Sequence, residues 1–293
     1  MASHTAGIII IGDEILKGQI VDTNSHFLCK RLHSLGIKVC KISVVGDDVD
    51  EIAAEVASFS QKYDKVITSG GIGPTHDDVT YLGVARAFGQ DVKVNEEFAR
   101  WFVNPDVLND INDVKATPAL KMAQVPESST LLNPVKKKNQ SKNYSMPIIK
   151  INNVFVFPGI PQYFEHMVNN LEHLLANPDG DKFHNREIFI DREELEIIPV
   201  LNTAVEKFKN SVVFGSYPEL GKETYCTKIT LESRSSEFVD EAEKYLQEQL
   251  PRGSVVHPME VVYSMVKEAP KAGLSSSVSA ALKVRSDKAG NSK

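Results

Sequence analysis

The chain opens with a run that has no polar face, Ala6-Gly7-Ile8-Ile9-Ile10-Ile11. Such a run reads as a strand buried on both sides, as in the centre of a parallel sheet. Asp22, Thr23 or Asn24 can then cap a helix whose apolar residues Phe27, Leu28, Leu32 and Leu35 share one face, with Gly36 as its stop. Residues 37–45 read as a second strand. After Asp47 and Asp48 a further helix places Ile52, Val56, Phe59 and Tyr63 at i, i+4, i+7 and i+11. Lys65-Val66-Ile67-Thr68 is a short strand entering a glycine-rich turn. A helix over 78–88 follows, with Leu82 and Ala85 inward and Gly89 at its end. This alternation is the βαβ pattern of an α/β fold with a mostly parallel sheet covered on both faces.

Residues 91–150 carry a weaker pattern, with a helix near 96–102 and a β-hairpin from Thr130 whose tip, KKKNQSKNYS, is polar. Val154-Phe155-Val156-Phe157 is again wholly apolar. Pro158-Gly159-Ile160-Pro161 leads from it into a helix that turns Phe164, Met167, Val168, Leu171, Leu174 and Leu175 inward. Asn177-Pro178-Asp179-Gly180-Asp181 marks a linker. Beyond it come a strand near Ile188, a helix over 195–208, strands at 212–214 and 225–231, and a helix over 237–250. The pattern predicts a large domain over 1–176, a small α+β domain over 185–250, and a Ser/Lys/Gly-rich, partly disordered tail over 251–293.

Composition narrows the class. The 293 residues are 42% apolar and 25% charged, close to the average of globular domains, which excludes a fibrous or largely disordered chain. A net charge of −6 argues against a long-range field that gathers nucleic acid or anionic lipid. Cys29, Cys40 and Cys226 are odd in number and lack metal-type spacing, so a reducing, cytoplasmic setting fits, with Cys29 and Cys40 read as core packing. No apolar run approaches the ~18 residues of a membrane helix.

The chemistry concentrates in Thr68-Ser69-Gly70-Gly71-Ile72-Gly73-Pro74-Thr75-His76-Asp77-Asp78, where a strand ends and a helix begins. Parallel sheets bind ligands at such places, and glycines let backbone N–H groups approach an anion. The loop is neither a Walker A motif nor G-x-G-x-x-G, and Asp78 is equally suited to cap the helix. Carboxylates also follow neighbouring strands: Asp13 and Glu14 after the first, Asp47 and Asp48 after the second, Asp77 and Asp78 after the third. Carboxylates beside an anion site repel the ligand unless a cation lies between them. Hard oxygen ligands suit Mg²⁺ or Mn²⁺ bridging to phosphate. Each carboxylate also has a structural reading, Asp22, Asp48 and Asp50 as helix caps. His76 reads as a hydrogen-bonding loop residue and Lys136-Lys137-Lys138 as a solvated loop.

Taken together, GDEIL-x-G-x-x-x-DTN, the loop T-x-GG-x-GPT-x-DD-x-T and the later FPGIPQ resemble the molybdopterin-binding (MoaB/Mog-like) domain as it occurs in the CinA family and in the N-terminal half of eukaryotic FAD synthase. Gly215-Ser216-Tyr217-Pro218-Glu219 with Thr227-Lys228-Ile229-Thr230-Leu231 is similar to the small KH-type module that follows in those proteins. The resemblance implies a three-layer α/β/α domain, commonly in homo-oligomers, whose glycine loop binds a phosphate or diphosphate. By motif matching, Thr68, Ser69, Gly70, Gly71, Gly73, Pro74, Thr75 and Asp77, with Pro158 and Gly159 on the same side, take the nucleotide- or pterin-binding places. Asp78, Asp47, Glu14 and Asp13 take the catalytic edge.

In FAD synthases this half is associated with metal-dependent hydrolysis of FAD to FMN and AMP, and CinA relatives hydrolyse ADP-ribose. The leading expectation is therefore a nucleotide diphosphatase acting on FAD or a related dinucleotide. A divalent cation (Mg²⁺, Mn²⁺ or Co²⁺), accompanied by K⁺, is held by Asp47 and Asp78, the amides of Gly70, Gly71 and Gly73 hold the diphosphate, and Asp13 or Glu14 positions water. The alternatives are a non-catalytic flavin- or pterin-nucleotide-binding module of a truncated FAD synthase, and a molybdopterin-cofactor biosynthesis protein. No sequence after Leu250 resembles the synthesising domain, so FAD synthesis by this chain alone is not expected. Where relatives carry Asn, a glycine-rich turn and Ala-Pro-Gly, this chain has Asn133-Pro134 and the lysine-bearing insert, which alters one wall of the pocket.

Overall fold

Side-chain alternation along strand β1 (Thr5–Ile11) sets the layers of the larger unit: Ile9 and Ile11 enter one hydrophobic core, Ile8 and Ile10 the other. Apolar residues on both faces make this a central strand. Its parallel neighbours are β2 (Lys38–Val45) and β3 (Lys65–Ser69). Beyond β3 lies β8 (Val154–Phe157), also parallel, and then the antiparallel strands β7 (Ile148–Ile151) and β6 (Thr130–Leu132), giving the order β2-β1-β3-β8-β7-β6. The expected hairpin is β6–β7, with Thr130 opposite Lys150.

This computed structural model describes residues 4–104, 114, 117–134, 146–219, 221 and 224–256. The hairpin tip and residues 257–293 lie outside them. Two units, 1–182 and 183–293, share the chain.

On the Ile9/Ile11 face pack α3 (Val49–Lys62) and α4 (Thr80–Ala87), which bury Ile52, Val56, Phe59, Tyr81 and Val84. The Asp48 carboxylate caps α3, accepting the Asp50 and Glu51 N–H groups at 2.9 Å each, while Asp50 instead pairs with Arg86. Leu82, expected inward on α4, is 42% exposed. The helix begins at Thr80 rather than 78, and its inward face is set by Tyr81, Val84 and Ala85. The same face is closed by α5 (Glu96–Ala99), shorter than expected, a 3-10 helix over Pro118–Ala123, and the ribbon of β4 (Val92–Val94) and β5 (Gln124–Pro126).

On the Ile8/Ile10 face lie α2 (Asn24–Ser34), α6 (Pro161–Asn170) and α7 (Glu172–Leu175). Leu28, Leu32, Phe164, Val168 and Leu175 are wholly buried there, each worth about 1.5–3 kcal/mol of transfer free energy. Cys29 packs against this core, but Cys40 is exposed on β2 and is not a core residue. The result is an α/β/α sandwich.

The smaller unit is a fully antiparallel four-stranded sheet, β10 (Val213–Pro218), β11 (Thr227–Ser233), β9 (His184–Ile190) and β12 (Val255–Val256). Ile188, Ile190, Ile229 and Leu231 face Ile197 and Ala204 of α8 (Glu194–Lys207) and Val239 and Leu246 of α9 (Ser236–Gln249). Residues 255–256, expected in a tail, hydrogen-bond to β9 and belong to this sheet.

Candidate functional site

The glycine loop leaves β3 between the ends of β1 and β8. Gly70 has φ +113°, and a Cβ built there would stand 2.0 Å from the Ile11 carbonyl oxygen. A Cβ on Gly159 would stand 3.2 Å from the Gly70 Cα. Only glycine permits this approach of three strand ends.

Asp78 is spent on shaping the loop. Its Oδ1 accepts the Gly73 N–H at 2.6 Å and its Oδ2 the Thr75 N–H at 2.8 Å, while the Thr75 hydroxyl lies between the Asp78 and Asp77 carboxylates. Lys121 donates to the Thr75 carbonyl, and the buried Thr80 hydroxyl donates to the Gly70 carbonyl at 2.8 Å. Asp78 therefore does not cap α4, whose N-cap is Val79. The amides expected to hold a diphosphate also divide. That of Gly70 donates to the Phe157 carbonyl at 3.2 Å and that of Gly73 to Asp78, whereas those of Gly71 and Ile72 have no acceptor among the described residues.

The acidic strand ends do converge. The Asp13 N–H donates to Asp47 Oδ2 at 3.0 Å, and the Asp47 N–H returns to Asp13 Oδ1 at 3.4 Å. Asp13 heads α1 (Asp13–Leu16), a short helix that its polar-apolar pattern did not announce. Lys17, 2.7 Å from Asp13 Oδ2, holds that carboxyl below the usual carboxylate range, helped by the Asp47 amide. Asp47 is shifted the other way. Partial burial pushes it up first, and the charges of Glu14, Asp13 and Asp77 add to this against the Asp13 amide bond. Asp77 is held down, chiefly by the Thr75 hydroxyl. The His76 side chain is 98% exposed, with Nδ1 3.9 Å from Asp77 Oδ1.

Around the loop opens a cavity of about 570 Å³, within the range of small-molecule sites. Its walls are largely apolar, among them Tyr81, Phe98, Phe102 and Tyr163, while Glu14, Asp22, Asn24, Ser69 and Asp78 bring polar groups. Burial pushes the Tyr81 phenol up, so it stays neutral. Asn24, the first residue of α2, donates to Ser69 Oγ at 3.0 Å and to the Gly159 carbonyl at 2.8 Å, and Ser69 Oγ donates in turn to the Pro158 carbonyl at 3.2 Å. The carbonyl acceptor fixes the amide orientation. Asn24 Oδ1 and the Thr68 hydroxyl are buried without a protein partner among the described residues. Asp22 accepts the Ser25 N–H at 3.0 Å, leaving Asn24 free to tie the loops.

The donor set does not make a closed metal cage. Among the described residues no three His, Cys, Asp or Glu side chains form a metal-holding group, and both Asp78 oxygens are engaged by the loop. Asp78 meets the loop through both of its oxygens, while Asp47 meets the Asp13 amide through Oδ2 alone. What remains beside Gly71 is Asp47, whose Oδ1 lies 3.5 Å from where a Gly71 Cβ would be, with Glu14 at the cavity wall. One or two carboxylates are the protein's share when Mg²⁺ arrives on a substrate phosphate.

This fold and loop define a class, the proteins built on a molybdopterin-binding domain. Residues 7–177 match the family described as "Probable molybdopterin binding domain", and the chain belongs to that family. Residues 182–259 match the family described as "FAD synthase, middle domain", so the chain carries the two modules one after the other. A "Probable FAD synthase" of Caenorhabditis elegans is 39% identical over 267 residues, covering 86% of this chain and 51% of that protein; the Caenorhabditis briggsae counterpart, also 39% identical, covers 84% and 49%. The chain spans about half the length of these relatives. An Archaeoglobus fulgidus protein is 33% identical, over 83% of this chain and 96% of its own. Among solved structures, the CinA protein of Thermoplasma acidophilum, titled as of unknown function, superposes with TM-score 0.50 and 30% identity, over 59% of this chain and 99% of that one.

Sequence reasoning found the glycine loop and the acidic edge but missed what supports them. Phe98 on α5 and Phe102 in the turn beyond it stand four apart, a spacing present in the sequence, whereas Lys121, Met122 and Met146 reach the site from the weakly patterned stretch. Among the described residues no helix is long and apolar enough to cross a membrane.

Proposed function

We propose that the larger unit binds the diphosphate of FAD or a related dinucleotide and hydrolyses it, releasing FMN and AMP from FAD. The observation that carries this reading is the juxtaposition of the unengaged Gly71 and Ile72 amides with Glu14 in the wall of an aromatic-walled cavity and with Asp47 beside Gly71. The amides receive phosphate oxygens, and Asp78, Thr75 and Lys121 hold the loop that presents them. Asp47 would hold a divalent cation (Mg²⁺, Mn²⁺ or Co²⁺) brought in on the diphosphate, and that ion would supply neutralisation of the phosphate charge. Glu14 accepts a hydrogen bond from the attacking water. As that oxygen bonds to one phosphorus, the bridging P–O bond breaks, the leaving phosphate takes the electron pair, and the water's proton passes by way of Glu14 to solvent.

The test is release of FMN and AMP from FAD with each metal, compared with Asp47→Asn and Glu14→Gln. Turnover supports hydrolysis, and unchanged turnover in both variants overturns the site assignment. A second reading, a flavin-nucleotide-binding module without turnover, is favoured by the use of both Asp78 oxygens in shaping the loop. Calorimetric binding of FAD without hydrolysis under every metal would establish it.

A further inference from the structure

A second cavity, of about 240 Å³, opens at the other end of β3 from the glycine loop. Lys65 begins that strand and Ser69 ends it, which at ~3.3 Å per residue separates the two places by about 13 Å. Alternation puts Lys65 on the same face as Ile67. Lys150 of β7 stands opposite Phe155 of β8, on the face that packs against α2, α6 and α7. Both lysines line the cavity and are half-buried, with Leu132, Phe155 and Leu174 as its apolar wall. Lys65 Nζ donates to the Leu174 carbonyl at 3.3 Å, and Lys150 Nζ lies 5.6 Å from the centre of the Phe155 ring. Neither ammonium has an ion-pair partner among the described residues. Burial pushes the Lys65 pKa down; the Asp64 carboxylate opposes this shift and the Lys150 charge adds to it. Asp64 is also in the wall, but its Oδ2 already accepts the Thr5 N–H at 2.7 Å and the Thr5 hydroxyl at 2.8 Å, bonds that keep it ionised. Two ammonium groups thus share the cavity with one carboxylate.

We propose that this cavity is an anion site that takes a single phosphate group between the Lys65 and Lys150 ammonium groups. Two like charges drawn partly out of water are stabilised by an anion placed between them. Lysine meets phosphate as a point charge with three rotatable donors, and Lys65 keeps two of its donors after the bond to Leu174. The volume is below the ~300–1,000 Å³ of sites for drug-sized ligands. It therefore suits orthophosphate or a small phosphate monoester whose organic group meets Leu132, Phe155 and Leu174. The site shares no lining residue with the cavity at the glycine loop and stands whether or not that loop binds a diphosphate.

The experiment is acetylation of the whole chain with acetic anhydride, read lysine by lysine by mass spectrometry across a titration with inorganic phosphate or phenyl phosphate. At an anion concentration about ten times the Kd, modification of Lys65 and Lys150 should slow roughly tenfold. Lys244, 78% exposed on α9, should be modified at an unchanged rate. Lys150→Met, which keeps the aliphatic stem, should raise the phosphate concentration needed to protect Lys65 about tenfold or more, the loss of one charge-assisted hydrogen bond. Lys65→Met should do the same to Lys150. Should Lys65→Met lower the melting temperature, Lys150→Met carries the test, since its ammonium makes no hydrogen bond among the described residues. Stronger protection by phenyl phosphate assigns the monoester, and equal protection assigns the free ion. Equal acetylation of both lysines with and without either anion, or protection of Lys65 that Lys150→Met leaves unchanged, overturns the site.

Discussion

The side-chain amide of Asn24 donates to the carbonyl of Gly159 at 2.8 Å and so joins the start of α2 to the β8–α6 loop at the cavity wall. The same nitrogen meets Ser69 Oγ at 3.0 Å, which draws the end of β3 into the tie. One buried side chain thereby couples three segments that are distant in sequence.

Asn24→Ala leaves the Gly159 carbonyl without this donor. Unpairing a buried polar group costs about 1–3 kcal/mol, so the denaturant midpoint should fall accordingly. Asn24→Asp offers no donor at neutral pH and should fall at least as far. A stability unchanged in both variants would remove the tie from the account of the site.

Gly70→Ala should be far more damaging than Gly89→Ala. Both have positive φ, +113° and +64°, but a methyl on Gly89 meets nothing within 4 Å, whereas one on Gly70 meets the Ile11 carbonyl at 2.0 Å. The Gly89 variant should lose only the ~1–2 kcal/mol of the backbone conformation itself. The Gly70 variant should lose more and also distort the loop, as paired thermal melts and pyrophosphate titrations would reveal.

Asp47 is the carboxylate expected to set the acid limb of activity. Its pKa lies above the ordinary 3.8 through burial and its acidic neighbours, so it becomes protonated at a higher pH than an ordinary carboxylate. If ionised Asp47 holds the substrate's cation, turnover declines as pH falls through that raised value, and Asp47→Asn abolishes the limb together with most activity. For stability the sign is opposite. A raised carboxyl pKa favours the folded state below the unfolded value, and that contribution disappears as pH rises through the folded value. Asp47→Asn should therefore leave the unliganded protein as stable or more stable at pH 7, as a melt at pH 4 and pH 7 would check.

Asp78→Ala should act differently from Asp47→Asn. Losing Asp78 frees the Gly73 and Thr75 amides together, so the loop itself loosens. Pyrophosphate binding should drop even without a divalent ion, whereas Asp47→Asn should weaken only the metal-dependent part. Equal metal dependence of the two losses would contradict the division of labour between these carboxylates.

Treatment with EDTA should stop hydrolysis and leave the far-ultraviolet circular dichroism and the melting temperature unchanged. No three-ligand cluster exists among the described residues for a metal to staple. A drop in melting temperature would point to a structural ion.

Local pattern carried a good deal of this protein. The all-apolar runs of β1 and β8, the i, i+4 spacing of α3 and the glycine loop were legible because each is a property of neighbours in the chain: periodicity, caps and the φ freedom of glycine. The loop's position after a strand announced where the cavity opens, and the acidic pairs announced the carboxylates that meet beside it.

The tertiary structure decided which groups are spent and which are free, since that depends on partners far away in sequence. Asp78 looked like a cap for α4, but the fold turns it onto Gly73 and Thr75. Asn24 looked like one of three interchangeable caps, but the meeting of α2 with the β8–α6 loop gives it Ser69 and Gly159 as partners. Leu82 fitted the helical period, yet packing against α3 selected Tyr81, Val84 and Ala85. Ile10 and Ile11 enter opposite cores by strand alternation, yet both line one cavity, because α2 and α4, on opposite faces of the sheet, each begin at the glycine loop with Asn24 bonded to Ser69 and Thr80 to Gly70.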